Sequence, residues 1–326
     1  MPLTERKPEW LKVRLPSGDR YVGLRKRFAA LGLHTVCEEA RCPNVAECWG
    51  AGTATLMLLG DTCTRGCRFC AVTSGNPGGV VDAGEPERVA RALAEMDLAY
   101  VVLTMVDRDD LADGGASHVA RTLTEIRASS PELLLETLVG DFAGEARHVR
   151  TLVTDGHPDV FAHNVEVVPR LQRRMRDARC SWERSIDVLR WARQAGARVT
   201  KSSLMVGCGE TDDEVFEALS KLRAAEVDVV TIGQYLRPTP KHAPVERFVA
   251  PAVFDSYRAA GEALGFRFVA SGPLVRSSYR AAEAFMRDAL TRDAFGRDGF
   301  GHAEPTRVHA PPRHDRYGNK RRLEIV

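Results

Sequence analysis

Short apolar runs alternate with amphipathic segments along most of this 326-residue chain, and no other feature restricts its fold as much. The runs at 55–59, 100–105, 133–139, 160–163, 198–206, 227–232 and 266–271 have the length and the Val, Leu, Ile and Thr content of strands. Between them, 85–96, 116–129, 182–195, 211–225 and 251–264 carry apolar side chains at helical spacing. Strands separated by helices pair in parallel, because each helix carries the chain back to the same edge of the sheet. Six or seven such units without a GxGxxG fingerprint fit a partial or complete TIM-like (β/α) barrel better than an open dinucleotide-binding sheet. Functional residues are then expected in the loops after each strand's C-terminal end. The barrel core is expected over 50–275. An N-terminal extension, 1–49, should hold one short helix near 20–32, and a C-terminal extension, 276–326, runs into a basic tail without apolar periodicity.

Charge and hydropathy exclude several kinds of protein. Lys and Arg number 46 against 44 Asp and Glu, so the net charge is only +2, too little for binding nucleic acid or anionic lipid by bulk attraction. The longest apolar runs span about seven residues, whereas a membrane helix needs about twenty. The opening stretch, MPLTERKPEWLKVRLPSG, lacks the apolar core of a signal peptide. A cytoplasmic protein is expected. Cysteines in that reducing compartment serve metal binding or catalysis more often than disulfides.

Six of the eight cysteines fall within 34 residues. Cys63-TRG-Cys67-RF-Cys70 places three thiols in a loop just after a strand. Three thiolates suit an iron–sulfur cubane with one iron left open for a substrate or cofactor. Zinc is the competing metal, but a structural zinc site wants four closed ligands, often arranged in CxxC pairs. Cys37-EEAR-Cys42-PNVAE-Cys48 is a second triad, which would need a fourth ligand from elsewhere in the chain.

The CxxxCxxC spacing, with an aromatic before its last cysteine, resembles the radical S-adenosylmethionine (SAM) enzymes. The pair of triads narrows this further. Together with VVLTMVDRDDLADGGA, FAHNVEVVPRL, KSSLMVGCGETDDE, QYLRPTPKHAPVERFVAP and GPLVRSSYRA, it is similar to the lipoyl synthase family over roughly residues 7–282. The resemblance implies a barrel of the radical SAM type and two [4Fe-4S] clusters. It makes Cys63, Cys67 and Cys70 ligands of the cluster that binds SAM and cleaves it to a 5′-deoxyadenosyl radical. It makes Cys37, Cys42 and Cys48, with Ser278 of Arg276-Ser277-Ser278-Tyr279, ligands of an auxiliary cluster that gives up its sulfur. Ser277 is the alternative ligand. A serine oxygen holds iron less firmly than a thiolate, which suits a cluster that must be dismantled. SAM contacts are implied for Asp113, Gly114, Gly115, Asn164, Glu166, Lys201 and Glu210, with Ser203 standing where the family prefers glycine. The implied reaction is a sulfur transfer. Two sulfur atoms enter carbons 6 and 8 of an octanoyl chain on a lysine of a lipoyl carrier protein. The implied partners are octanoylated carrier domains of 2-oxoacid dehydrogenases and the glycine cleavage H protein. An electron donor such as ferredoxin or flavodoxin and iron–sulfur cluster carrier proteins are implied as well.

Other residues invite plainer readings. Cys180 and Cys208 have no partner at ligand spacing and read as idle thiols, although Cys208 stands in the GCGE loop next to the expected SAM site. His34, His163 and His242 read as hydrogen-bonded structural residues. The run Arg170-LQRRMRDAR, with five arginines, reads as a solvated face or as a dock for an acidic carrier domain. A non-catalytic iron–sulfur or zinc protein and a biotin synthase-like sulfur inserter are the competing functions. The first has no use for strand-end SAM loops, and the second does not combine an N-terminal triad with RSSY. Two cubanes predict about eight iron atoms per chain after anaerobic reconstitution. Iron and zinc analysis checks this, and saturation at about four irons would remove one cluster.

Overall fold

A computed structural model describes residues 6–12, 22–23, 34–35, 44, 55–96 and 98–278. Cys37, Cys42, Cys48, the tail from 279 and all of the helix expected near 20–32 but the helical pair 22–23 lie outside the described residues. The strands are β1 (His34–Thr35), β2 (Thr55–Leu58), β3 (Thr62–Cys63), β4 (Thr73–Ser74), β5 (Tyr100–Met105), β6 (Leu134–Leu138), β7 (Val160–Ala162), β8 (Thr200–Val206), β9 (Val229–Gln234) and β10 (Phe268–Gly272). The helices are α1 (Glu85–Ala94), α2 (Ala116–Ser129), α3 (Ala146–Gly156), α4 (Gln172–Met175), α5 (Trp182–Gln194), α6 (Asp212–Ala224) and α7 (Pro251–Ala263).

The main sheet runs β1-β2-β5-β6-β7-β8-β9-β10. All its neighbours are parallel except β1, which pairs antiparallel with β2 through His34 and Met57. Among the described residues β1 and β10 do not pair, so the (β/α) barrel is partial. All seven expected strands are present, each end within two residues of its expected place. Two helices are additional. In α3 only Val149, Leu152 and Val153 make an apolar stripe, too short a period to stand out in the sequence. The four-residue α4 is shorter than any pattern could mark.

Both faces of the sheet are covered, which is why its strands read as nearly continuous apolar runs. Tyr100, Val102, Val160, Val199 and Val229 meet inside the barrel at the strands' N-terminal ends. Their alternates face outward. Val101, Leu103, Leu135 and Phe161 pack under the α1–α3 side, while Leu204, Val206, Val230 and Ile232 pack under α6 and α7. At the C-terminal ends the inward residues are Met57, Thr104, Leu138, Asn164, Ser203, Met205 and Gly233, and there they line a cavity instead of a core. Among the described residues no helix is long and apolar enough to cross a membrane.

One charged pair crosses the barrel interior between these levels. Lys201 Nζ donates to Glu136 Oε1 and Oε2 at 2.8 and 2.7 Å, and Tyr100 hydroxyl donates to Oε2 at 2.5 Å. Both side chains are at most 2% exposed. Such a pair resists the loss of one member more than the loss of both. Lys201→Met should therefore lower stability by about 3–5 kcal/mol, while Lys201→Met with Glu136→Leu should recover most of that loss. Anaerobic urea unfolding of the two variants checks the order.

Candidate active site

A cavity of about 600 Å³ opens at the C-terminal ends of the strands. The loop between β3 and β4 builds one wall and presents Cys63, Cys67 and Cys70. Its path is fixed from below by Arg65, whose side chain is 2% exposed. Arg65 Nε and Nη2 donate to the two oxygens of Asp109 at 3.0 and 2.8 Å, and Nη2 reaches Asp141 Oδ1 at 2.6 Å. Asp107 Oδ1 lies 3.7 Å from Nη1. Burial opposes the guanidinium's charge, but Asp109 and Asp141 more than offset it. Burial pushes the Asp107 carboxyl up to about 6, helped by Asp141 and Asp109 and opposed by Arg65. The far end of the loop is held by His242. Its Nε2–H donates to the Cys70 carbonyl at 2.9 Å, and Thr239 hydroxyl donates to Nδ1 at 2.8 Å.

Burial raises the thiols of Cys63 and Cys70, the latter to about 11. Cys67 is raised by its hydrogen bond to Cys180 and by burial. Binding iron at these sulfurs must therefore expel protons. Among the described residues no three ligating side chains converge on one point as a mononuclear metal needs. A cubane has no such requirement, because each of its thiolates binds a different iron at a different corner. Three thiols spread over one wall of a roomy cavity fit the cubane.

Asn164 and Glu166, after β7, also border the cavity. Glu166 has φ +67°, a left-handed conformation unusual for its residue type. It is held there by β8, since Glu166 N–H donates to Ser203 O at 3.1 Å and Met205 N–H donates to Glu166 O at 2.7 Å. Burial pushes its carboxyl upward. Ser203 also lines the cavity. Arg276, Ser277 and Ser278 arrive from beyond β10 to close another side. Asn44, between Cys42 and Cys48, lies at the same mouth and donates from Nδ2 to Leu274 O at 2.6 Å.

Five of the sequence-derived positions do not border this cavity. Asp113 accepts from the N–H groups of Gly115 and Ser117, both at 2.9 Å, so it caps the start of α2. Gly114 (φ +62°) and Gly115 (φ +89°) form that turn, and a Cβ on Gly115 would meet Leu59 at 2.3 Å. Lys201 is committed to Glu136 below the cavity floor. Glu210 accepts from the N–H groups of Gly207 and Cys208 at 2.6 and 2.9 Å and so shapes the GCGE loop. Cys208 is buried in the apolar cluster under α6 and α7, away from the cavity.

Several site residues escape sequence reading. Cys180 is not idle: it lines the cavity, contacts Cys67 and accepts from Arg65 Nη1 at 3.3 Å. The hydrogen bond from Cys67 holds its thiol below the ordinary range, with Arg176 and Arg65 adding to the effect and burial opposing it. His163 donates from Nδ1 to Val139 O at 2.8 Å and accepts at Nε2 from Ser185 hydroxyl, 3.0 Å away, as a structural histidine should. Arg176 is a buried cation on the cavity wall. No local spacing marks these residues, because their partners lie up to 115 residues away.

Comparison with known proteins places the chain. The radical SAM superfamily model matches residues 57–232, and the model of the N-terminal domain of lipoyl synthase matches residues 3–42. The lipoyl synthase of Sorangium cellulosum is 61% identical over 299 residues, covering 87% of this chain and 80% of that one. Those of Thermus thermophilus (53%; 87% and 88% covered) and an Anaeromyxobacter species (54%; 88% and 98%) are also close. Crystal structures of methylornithine synthase (TM-score 0.51, 14% identity, 80% of this chain and 84% of that one) and of HydG, a maturase of the [FeFe]-hydrogenase (0.54, 13%, 72% and 54%), share the fold. The barrel, its cysteine loop and these relatives agree that the chain belongs to the lipoyl synthase family of the radical SAM superfamily.

Proposed function

We propose that this chain inserts two sulfur atoms, at carbons 6 and 8, into an octanoyl group carried on a lysine of a lipoyl carrier domain. The observation that carries this reading is the single cavity bordered both by the CxxxCxxC thiols and by Ser277 and Ser278. When bound, the first cluster with SAM supplies a 5′-deoxyadenosyl radical for hydrogen abstraction, and the auxiliary cluster supplies sulfur. Cys63, Cys67 and Cys70 hold the first; Cys37, Cys42, Cys48 and Ser278 hold the second. Asn164 and Glu166 offer hydrogen bonds to SAM's polar groups, and Arg176 offers a buried cation to its carboxylate. Asp113, Gly114, Gly115, Lys201 and Glu210 act on SAM only through the turns and strands they brace. Met57, Met105, Leu138 and Met205 give the cavity an apolar lining that takes an alkyl chain and keeps water from the reacting carbons.

The fitting partners are octanoylated carrier domains of 2-oxoacid dehydrogenases and the glycine cleavage H protein. A low-potential donor such as ferredoxin or flavodoxin and a carrier that delivers iron–sulfur clusters complete the cycle. A reducing cytoplasmic setting suits the many free thiols. The direct experiment is anaerobic incubation with SAM, a reductant and an octanoyl-lysine peptide, followed by mass measurement. A peptide that gains no sulfur while deoxyadenosine accumulates refutes the reading.

The triads should divide the work. Alanine at Cys63, Cys67 or Cys70 should abolish deoxyadenosine formation. Alanine at Cys37, Cys42 or Cys48 should leave it measurable while thiolation stops. Chromatographic assay of both products in folded variants checks the split. Ser278→Cys should assemble the auxiliary cluster yet slow or stop sulfur donation, because thiolate holds iron more firmly than serine oxygen. Ser278→Ala should make that cluster labile. Single-turnover yields, with cluster iron followed by absorbance, check both; if neither differs from the parent, the ligand is not Ser278.

A further inference from the structure

The arginine run 170–179 is occupied within the chain. Arg170 pairs with Glu214 at 2.6 Å, Arg174 pairs with Glu246, and Arg179 pairs with Asp177 at 2.8 Å. Arg176 is buried and donates to Gln172 Oε1 and Ser185 Oγ at 3.1 and 2.7 Å. A dock for an acidic partner needs free cations, and this stretch supplies few. What it grips is the cysteine loop. Arg68 N–H donates to Met175 O at 2.8 Å, Gly66 N–H donates to Asp177 Oδ2 at 2.9 Å, and Arg179 Nη2 donates to Thr64 O at 2.7 Å.

One contact of this clamp goes to a sulfur. Asp177 main-chain N–H points at Cys67 Sγ, 3.3 Å away. Cys63 takes main-chain donors from Arg65 and Asp107, and Cys70 takes one from its near neighbour Val72. Cys67 takes its donor from a segment 110 residues distant, in the arginine run that grips the loop. Asp177 is itself locked, since its carboxylate accepts from Arg179 N–H at 3.0 Å and from Arg179 Nε at 2.8 Å while holding Gly66.

We propose that Asp177 sets the reduction potential of the first cluster through its main-chain N–H on Cys67, with Arg179 as the brace that holds that N–H in place. The proposal rests on the reading of Cys67 as a ligand of that cluster. One-electron reduction adds negative charge that is shared by the ligand sulfurs, so a donor on a sulfur favours the reduced form and raises the potential. The Asp177 carboxylate acts the other way, but Arg179 at 2.8 Å offsets most of its charge. Asp177 is a positioning residue, and its variants separate these two effects.

The test is an EPR-monitored redox titration with dithionite of the fully reconstituted chain, following the signal that changes when SAM is added. Asp177→Asn keeps an oxygen for Gly66 and should titrate at or slightly above the parent. Asp177→Ala releases the clamp. At a fixed potential its ratio of reduced to oxidised cluster should fall about tenfold below that of Asp177→Asn, the size of one hydrogen bond to a charged group. Tenfold corresponds to about 59 mV for one electron. Coincident titrations of the Ala and Asn variants overturn the proposal. Should Asp177→Ala fail to retain the first cluster, Arg179→Lys, which keeps the positive charge but loses the guanidinium's bonds to Asp177 and Thr64, gives the same reading: a downward shift supports the proposal and an unshifted curve overturns it. A parent chain with no SAM-sensitive signal removes the functional reading beneath the proposal, and the proposal with it.

Discussion

The site depends on one buried guanidinium. Arg65 sits inside the cysteine loop and binds carboxylates from the loops that follow β5 and β6. A loop rich in Thr, Gly and Cys has no apolar core of its own and would otherwise sample many conformations. The Arg65 network ties it to the two strands whose ends form the floor beside it. Removing one partner of such a buried cluster strands the others, at a cost of about 3–5 kcal/mol. The placement of the three sulfurs is thus inherited from the barrel.

The barrel in turn supplies two different interiors. Its lower half is filled with apolar side chains and crossed by the Lys201–Glu136 pair. Its upper half is left open because the inward residues there are small, polar or flexible: Thr104, Asn164, Ser203, Gly233 and three methionines. Gly233 has a specific reason to be glycine, since a Cβ there would lie 2.0 Å from the Val275 carbonyl. The segment returning from β10 can reach the mouth with Ser277 and Ser278 only by passing over that bare backbone.

Local signals were strong where the chemistry is local. Nearly continuous apolar runs marked the seven parallel strands of the main sheet, and the CxxxCxxC spacing marked the loop that borders the cavity. The RSSY string was legible as a motif, and the structure brings its serines to the same mouth. Illegible were the contacts made across the fold. Nothing singled out Arg65, Cys180 looked idle, and the arginine run looked like a surface, because each has partners far away in sequence. Equally illegible were the partners of Lys201, Glu210 and Asp113. They stand in family-like strings, and in the fold their side chains engage Glu136, the GCGE loop and the start of α2. A string of residues identifies a neighbourhood, but only the fold shows which side chains turn toward its centre.

The bond from Asn44 to Leu274 spans 230 residues. Its donor precedes the first parallel strand of the sheet and its acceptor follows the last. At about 5–20 residues per second, a ribosome needs roughly 10–50 s to add the residues between them. Until that interval ends, the carbonyl that holds Asn44 has not been synthesised. Closure of this contact is therefore a late event in the life of each chain, after the strands of the sheet have been made.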